Sequence, residues 1–314
     1  MVDRPHKPIA LARTPGLPPQ AQVEFTHDNT RVKAVLPTGE SVEVLLHGAT
    51  VISWKDNVGK EKLWLSEGAK LDGSKAVRGG IPLVFPVFGT RPDHEATSKL
   101  PQHGFARTST WDYLGKSSNE FQSSSVKLDF ALSSNTIPEA SKALWPYTFG
   151  LLYSVTLSRE SLTTSLVITN EGTEAFDCQM LLHTYLRVDD IEKTSVTGLE
   201  GAEFIDKIDP PPTQTQTGPV LIAKEVDRVY TPVGPPSAPV IVNEDGEESF
   251  RVVRDKLPDV VVWNPWTDKS AGMADFEPKT GFRNMLCIEA GSVREWTHLE
   301  AGDVFEGSQT IIID

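Results

Sequence analysis

The sequence predicts an all-β protein built from antiparallel sheets, and three observations carry that reading. Short runs of alternating apolar and polar residues recur along the chain. Gly, Pro, Asn and Asp punctuate them, and helical periodicity with proper caps is almost absent. Period two lets one face of a run be buried while the other meets water, which is the pattern of a half-buried strand.

In chain order, "MVDRPHKPIALARTPGLPPQ" carries Pro and Arg but no apolar stretch of the kind a secretory signal needs. Residues 1–21 are therefore expected to form a flexible Pro-rich leader, followed by one domain over 22–314. "RVKAVLP" (31–37) and "SVEVLLHG" (41–48) alternate on either side of the turn sequence "LPTGES". "IPLVFPVFG" (81–89) is apolar but too rich in Pro for a central strand. "SVKLDFAL" (125–132), "YSVTLSR" (153–159), "SLTTSLVITN" (161–170) and "ESFRVVRD" (248–255) alternate again, with "TNEGTE" as a turn between two such runs. The best helix candidate is "IPEASKALWP" (137–146), a couple of turns stopped by Pro146. Strands this short at hairpin spacing pack as a sandwich or close as a barrel. "IDPPPTQTQTGP" (208–219) and "VGPPSAPV" (233–240) read as long loops of one domain, because the strand pattern continues on both sides. A two-domain split near 208–219 is the other division the pattern allows.

Composition narrows the function classes. Of 314 residues, 39% are hydrophobic, enough to build a core. The formal net charge of -13 repels polyanions and anionic lipid, so nucleic acid and membranes are not expected partners. A small anion could still bind, given a local cluster of Arg. Cys178 and Cys287 are the two cysteines, far apart and each in an apolar run. They make neither a disulfide framework nor a metal-binding spacing, which suits a reducing compartment. No apolar run nears the roughly 20 residues of a membrane span. A cytoplasmic monomer acting on a small molecule is the expectation.

Four stretches put ionisable groups where a strand core should be apolar. In "KAVRGGIPLVFPVFG" (75–89), Arg78 stands beside Gly79 and Gly80, either as a surface turn residue or as one that swings into a pocket. "LPQHGFAR" (100–107) holds Gln102, His103 and Arg107, an amide, an imidazole and a guanidinium suited to a polyol or an anion. In "QMLLHTYLRV" (179–188), period two puts His183 on a face with Leu181 and Tyr185, opposite Leu182, Thr184 and Leu186. It is either a satisfied core histidine or a group that titrates near neutrality in a cleft. In "NMLCIEAGS" (284–292), Glu289 ends an apolar run, where a carboxylate pays desolvation unless it is paired or works chemically. Asp227 in "KEVDRVY" (224–230) is a possible orienting acid.

Together with "KLDGSKAVRGGIPLVFPVFG", "LLHTYLRVDDIE", "VVWNPW", "GMADFEPKTG" and "LCIEAG", these stretches resemble the glucose-6-phosphate 1-epimerases, or hexose-6-phosphate mutarotases, of the aldose 1-epimerase superfamily. The similarity runs from about residue 22 to the C-terminus. It implies a large antiparallel β-sandwich, the galactose mutarotase-like supersandwich with few short helices, and a sugar cleft on one sheet. It implies His183 and Glu289 as catalytic residues, and Arg78, Gln102, Arg107 and Asp227 as substrate-binding ones. His103 falls where wider superfamily members set a second histidine against the sugar. The implied reaction is cofactor-independent interconversion of the α and β anomers of a sugar phosphate, with Glu289 as base, His183 as acid and the arginines on the 6-phosphate. Trp263 and Trp266 are each either a wall for the sugar ring or a core anchor; Trp54, Trp64, Trp111 and Trp145 are read as core. Two other functions share the scaffold: a non-catalytic sugar-phosphate-binding regulator, and a mutarotase of unphosphorylated aldoses. A glycosidase is disfavoured, since that chemistry usually needs two carboxylates across the bond.

Overall fold

The computed structural model describes residues 19–117, 124–210, 213–235 and 237–313. Most of the leader, and Pro211, Pro212 and Pro236 of the two Pro-rich loops, lie outside them.

The alternating segments all form strands, and every pairing between named strands is antiparallel. Gln22–Thr26, Arg31–Val35, Ser41–Leu45 and Thr50–Lys55 make a four-stranded meander. A nine-stranded sheet has the long strands Glu247–Asp255, Val304–Ile313, Ser161–Asn170, Phe149–Ser158 and Ser125–Ser133 side by side at its centre. An eight-stranded sheet runs Thr213–Thr215, Glu203–Asp206, Val226–Thr231, Asp259–Asn264, Met285–Leu299, Phe176–Leu182 and Leu83–Val84, with Tyr185–Arg187 also paired to Met285–Leu299.

The two larger sheets pack face to face. Leu128, Phe130, Tyr153, Val155, Leu166 and Ile168 of one join Leu182, Leu186, Val260, Val262, Leu286, Ile288 and Ala290 of the other in one buried cluster. Sequence alternation explains which residues these are. On Met285–Leu299, Leu286, Ile288 and Ala290 enter this core, while Met285, Cys287 and Val293 join a second cluster on the opposite face with Leu181, Tyr185, Val261 and Trp263. The eight-stranded sheet is thus apolar on both faces, and its outer one has ionisable residues set among the apolar ones.

Several expectations are refined. The helix expected over 137–146 forms at Glu139–Leu144, and a second, Trp266–Gly272, follows "VVWNP". "TNEGTE" does not join a hairpin: it carries the chain from Ser161–Asn170 in the nine-stranded sheet to Phe176–Leu182 in the other. Glu289 lies within a strand rather than at its end, because Met285–Leu299 continues through "AGS". Trp54, Trp111 and Trp145 are buried in the main core, and Trp64 is buried in the outer-face cluster. No helix among the described residues is long and apolar enough to cross a membrane.

Candidate active site

The site is built where one strand breaks. Pairing to Met285–Leu299 runs Leu182 opposite Ala290 on one side of the break and Tyr185 opposite Cys287 on the other. The same register puts His183 opposite Glu289. At the break the backbone is held from other directions: His183 N–H donates to Pro82 O and Tyr185 N–H to Gly80 O. Thr184 points into the sandwich, where Gln309 Nε2 of the nine-stranded sheet donates to its hydroxyl at 2.7 Å. With Thr184 anchored inward, alternation sends His183 outward, where it stacks on Tyr185 with ring centroids 4.8 Å apart and planes 7° apart.

Segment 78–80 needs its glycines. At φ +66, a Cβ on Gly80 would stand 2.1 Å from Val51 O, a contact that only absence of a side chain permits. This close approach fixes Arg78, whose Nε and Nη2 reach Asp275 at 3.3 and 3.4 Å and whose Nη1 reaches the Tyr185 hydroxyl at 3.3 Å. Arg78 therefore does not swing. Tyr185 and Asp275 keep its guanidinium charged, above the usual arginine range, against the effect of burial.

Arg107 is the opposite case. Nη2 donates to Gln102 O at 2.7 Å, while its buried Nε has no partner. Burial pushes its pKa down to about 10. A guanidinium in that state gains from any anion that reaches it.

His103 sits at φ +66, and its Nδ1 accepts from Gly89 N–H at 3.1 Å. That bond fixes the tautomer, leaving the proton on Nε2. Burial, and then the charges of Arg107, Lys207 and Arg78, hold the ring neutral, so it is a hydrogen-bond donor rather than a cation.

His183 Nδ1 lies 3.0 Å from Glu289 Oε1. Burial, followed by the neighbouring His103 and the positive charges of Arg107 and Arg78, lowers the His183 pKa well below its ordinary value. Burial and the nearby Asp227 carboxylate raise that of Glu289 well above its own. The pair therefore resists carrying a net charge of either sign, with its two facing atoms 3.0 Å apart. Glu289 Oε2 is buried and has no hydrogen-bond partner. An unsatisfied buried acceptor costs about 1–3 kcal/mol, which a substrate hydroxyl would recover.

All seven residues singled out from the sequence, Arg78, Gln102, His103, Arg107, His183, Asp227 and Glu289, line one cavity of about 350 Å³. Trp263 lines it too, edge-on to His183 at 6.1 Å, while Trp266 packs on Phe282 away from it. The structure adds Lys207, which pairs with Asp227 Oδ1 at 3.2 Å and lies over the Phe88 ring at 4.2 Å. Nothing in "FIDKID" distinguishes it from a surface lysine; only the pairing of Glu203–Asp206 beside Val226–Thr231 brings it to Asp227. Local pattern does not mark Asp275 in "GMADFEP" or Cys287 as site residues. Cys287 lacks metal-ligand spacing along the chain, yet its Sγ is 3.9 Å from His183 Nδ1.

The aldose 1-epimerase family model matches residues 32–311. A relative from Cenchrus ciliaris, described as a "putative glucose-6-phosphate 1-epimerase", is 34% identical over 269 residues, covering 84% of this chain and 79% of its own length. One from Escherichia coli K12 with the same description is 34% identical over 251 residues, covering 80% and 79%. Among solved structures, a "putative mutarotase" from Salmonella typhimurium superposes with a TM-score of 0.79 at 28% identity, covering 95% of this chain and 94% of that one. Galactose 1-epimerase from Lactobacillus acidophilus shares the fold, with a TM-score of 0.67 at 14% identity, covering 94% and 98%. The architecture is galactose mutarotase-like, and the chain belongs to the aldose 1-epimerase family.

Proposed function

We propose that this protein interconverts the α and β anomers of hexose 6-phosphates, chiefly glucose 6-phosphate, by opening and closing the pyranose ring without a cofactor. The observation that carries this is the single cavity holding an acid–base pair 3.0 Å apart, a partnerless carboxylate oxygen and two arginines. The descriptions of the Cenchrus and E. coli relatives support the substrate.

Anomerisation breaks the C1–O5 bond and remakes it from the other face. Glu289 Oε2 accepts the proton of the C1 hydroxyl while His183, protonated on both nitrogens at that moment, gives one to O5. The C1–O5 electron pair leaves with O5, and C1 becomes a carbonyl carbon. Rotation about C1–C2 presents the other carbonyl face, after which His183 takes the C5 hydroxyl proton back and Glu289 returns its proton to O1. The pair ends with the proton it began with, so each turnover resets the site. That proton lets both partners act without a buried net charge at any stage. A positioned proton donor or acceptor typically contributes 10²–10⁴-fold.

The remaining lining groups orient the sugar. Neutral His103 offers its Nε2 proton to a ring or hydroxyl oxygen, Asp227 accepts from a hydroxyl, and Trp263 presents an aromatic wall to the C–H face. Arg107 supplies the open guanidinium fork for the phosphate, with Arg78 as a second, pre-fixed positive charge.

Polarimetry or NMR exchange on freshly dissolved α-glucose 6-phosphate tests the reading. The wild-type protein should accelerate exchange, and Glu289→Gln and His183→Ala should each remove most of the acceleration. If the wild type binds the ester but leaves exchange at its spontaneous rate, the protein is a binding module and the mechanism is wrong.

A further inference from the structure

The proton-transfer pair has a third neighbour that the mechanism does not use. Cys287 precedes Glu289 by two residues on the same strand, so both side chains leave one face of the sheet. His183 Nδ1, Cys287 Sγ and a Glu289 carboxylate oxygen all lie within 4.8 Å of one another. With bonds of about 2.0–2.1 Å to N and O and about 2.3 Å to S, a tetrahedral Zn²⁺ separates its N and O ligands by roughly 3.3 Å and its N and S ligands by roughly 3.5 Å. The separations here are 3.0 Å for Nδ1 to Oε1 and 3.9 Å for Nδ1 to Sγ. A few tenths of an ångström of side-chain movement would make them the edges of a zinc tetrahedron.

We infer that His183, Cys287 and Glu289 form an inhibitory binding site for a thiophilic divalent cation of the Zn²⁺ class. Three observations converge on it. One N, one S and one O are each a donor type that zinc takes, and three protein ligands leave a fourth position for water. Here the cavity reaches the trio from the His183 and Glu289 side. The partnerless Glu289 Oε2, on a residue 1% exposed, shows that the carboxylate's coordination is unfilled. Charge is balanced as well: one thiolate, one carboxylate and a neutral imidazole offset the ion's two positive charges, so no net charge is buried. On binding, the ion displaces to solvent the thiol proton and the proton of the His183–Glu289 pair. Occupied this way, neither residue can transfer a proton to sugar. The thiolate sets selectivity, since Mg²⁺ prefers oxygen ligands and keeps its waters.

Binding rests on the trio alone, and inhibition rests on the function proposed above, so the two are measured separately. Calorimetry without sugar, on the metal-free wild-type protein, should give one Zn²⁺ site and no heat with Mg²⁺. Co²⁺ should produce a thiolate-to-metal charge-transfer band. Cys287→Ser should abolish that band and weaken Zn²⁺ at least about tenfold, because hydroxyl replaces the soft ligand. Cys178→Ser, in the other core, should change neither. Glu289→Gln, retaining Cys287, should also weaken Zn²⁺ and serves if Cys287→Ser misfolds. Zn²⁺ binding that survives both Cys287→Ser and Glu289→Gln, or is missing from the wild type, overturns the site. Zn²⁺ bound through Cys287 in a protein without anomer exchange would uphold the site and sink the function.

Discussion

Replacing Arg107 by Met separates phosphate recognition from fold. In the free protein this guanidinium makes one hydrogen bond, to the carbonyl of exposed Gln102, and buries an Nε with no partner. A phosphate engaging its fork would add two charge-assisted bonds at about 1.5–3 kcal/mol each. Water and the remaining charge of Arg78 recover part of that loss, leaving about 2–3 kcal/mol. At 1.36 kcal/mol per factor of ten, kcat/KM for glucose 6-phosphate should fall roughly 30- to 150-fold. The loss should lie mainly in KM, because the phosphate is remote from C1 and O5. Glucose and galactose, lacking the phosphate, should lose no more than about threefold by the same reasoning. Folding stability should change by less than roughly 1 kcal/mol, since the substitution removes a cation that burial already disfavours. NMR exchange at several concentrations of each sugar gives both parameters, and urea unfolding gives the stability. Equal losses for the ester and the free sugars would refute the assignment of Arg107 to phosphate.

Other outcomes follow from the same geometry. Arg78→Met should behave differently, lowering stability by about 1–3 kcal/mol in urea unfolding, because it strands the Asp275 carboxylate. Glu289→Gln should cost about 10²–10⁴ in kcat without lowering Tm, since a neutral amide beside a neutral His183 leaves no net charge buried. Exchange rates in chelator-containing buffers should fall at high pH, as the His183–Glu289 pair loses its proton. Asp227→Asn should move that alkaline limb to lower pH: Asp227 raises the Glu289 pKa, so its removal lets the proton leave sooner. A limb that moves upward would contradict this placement of charge. Gln309→Leu should reduce stability by about 1–3 kcal/mol, measured by urea unfolding, through the Thr184 hydroxyl it deprives of a buried partner.

Much of the architecture is legible because alternation is a local property. Residues 161–170 alternate throughout, and the structure makes them a strand whose even positions are buried. The short helix after Ile137 is marked by Pro138 at its start and Pro146 after its end. Trp266–Gly272 was missed because its seven residues offer no amphipathic stripe long enough to register. The site residues were visible as polar groups in apolar runs, with the family resemblance supplying their roles. Their partners were not: Asp275 lies 197 positions from Arg78, and no periodicity connects the two.

By itself the sequence determined faces. Period two put His183 beside Leu181 and Tyr185, and Cys287 beside Glu289, since side chains two apart leave a strand on the same side. Only the tertiary structure decided that these are one face of one sheet, with His183 in register opposite Glu289 and a cavity above both. It also decided that Arg78 is pinned while Arg107 is open, and that a cysteine stands against the proton-transfer pair. The physical reason is that alternation is written into each strand separately. Register, burial and pKa depend on which strands meet across more than a hundred residues of intervening chain, and on how much water their meeting excludes.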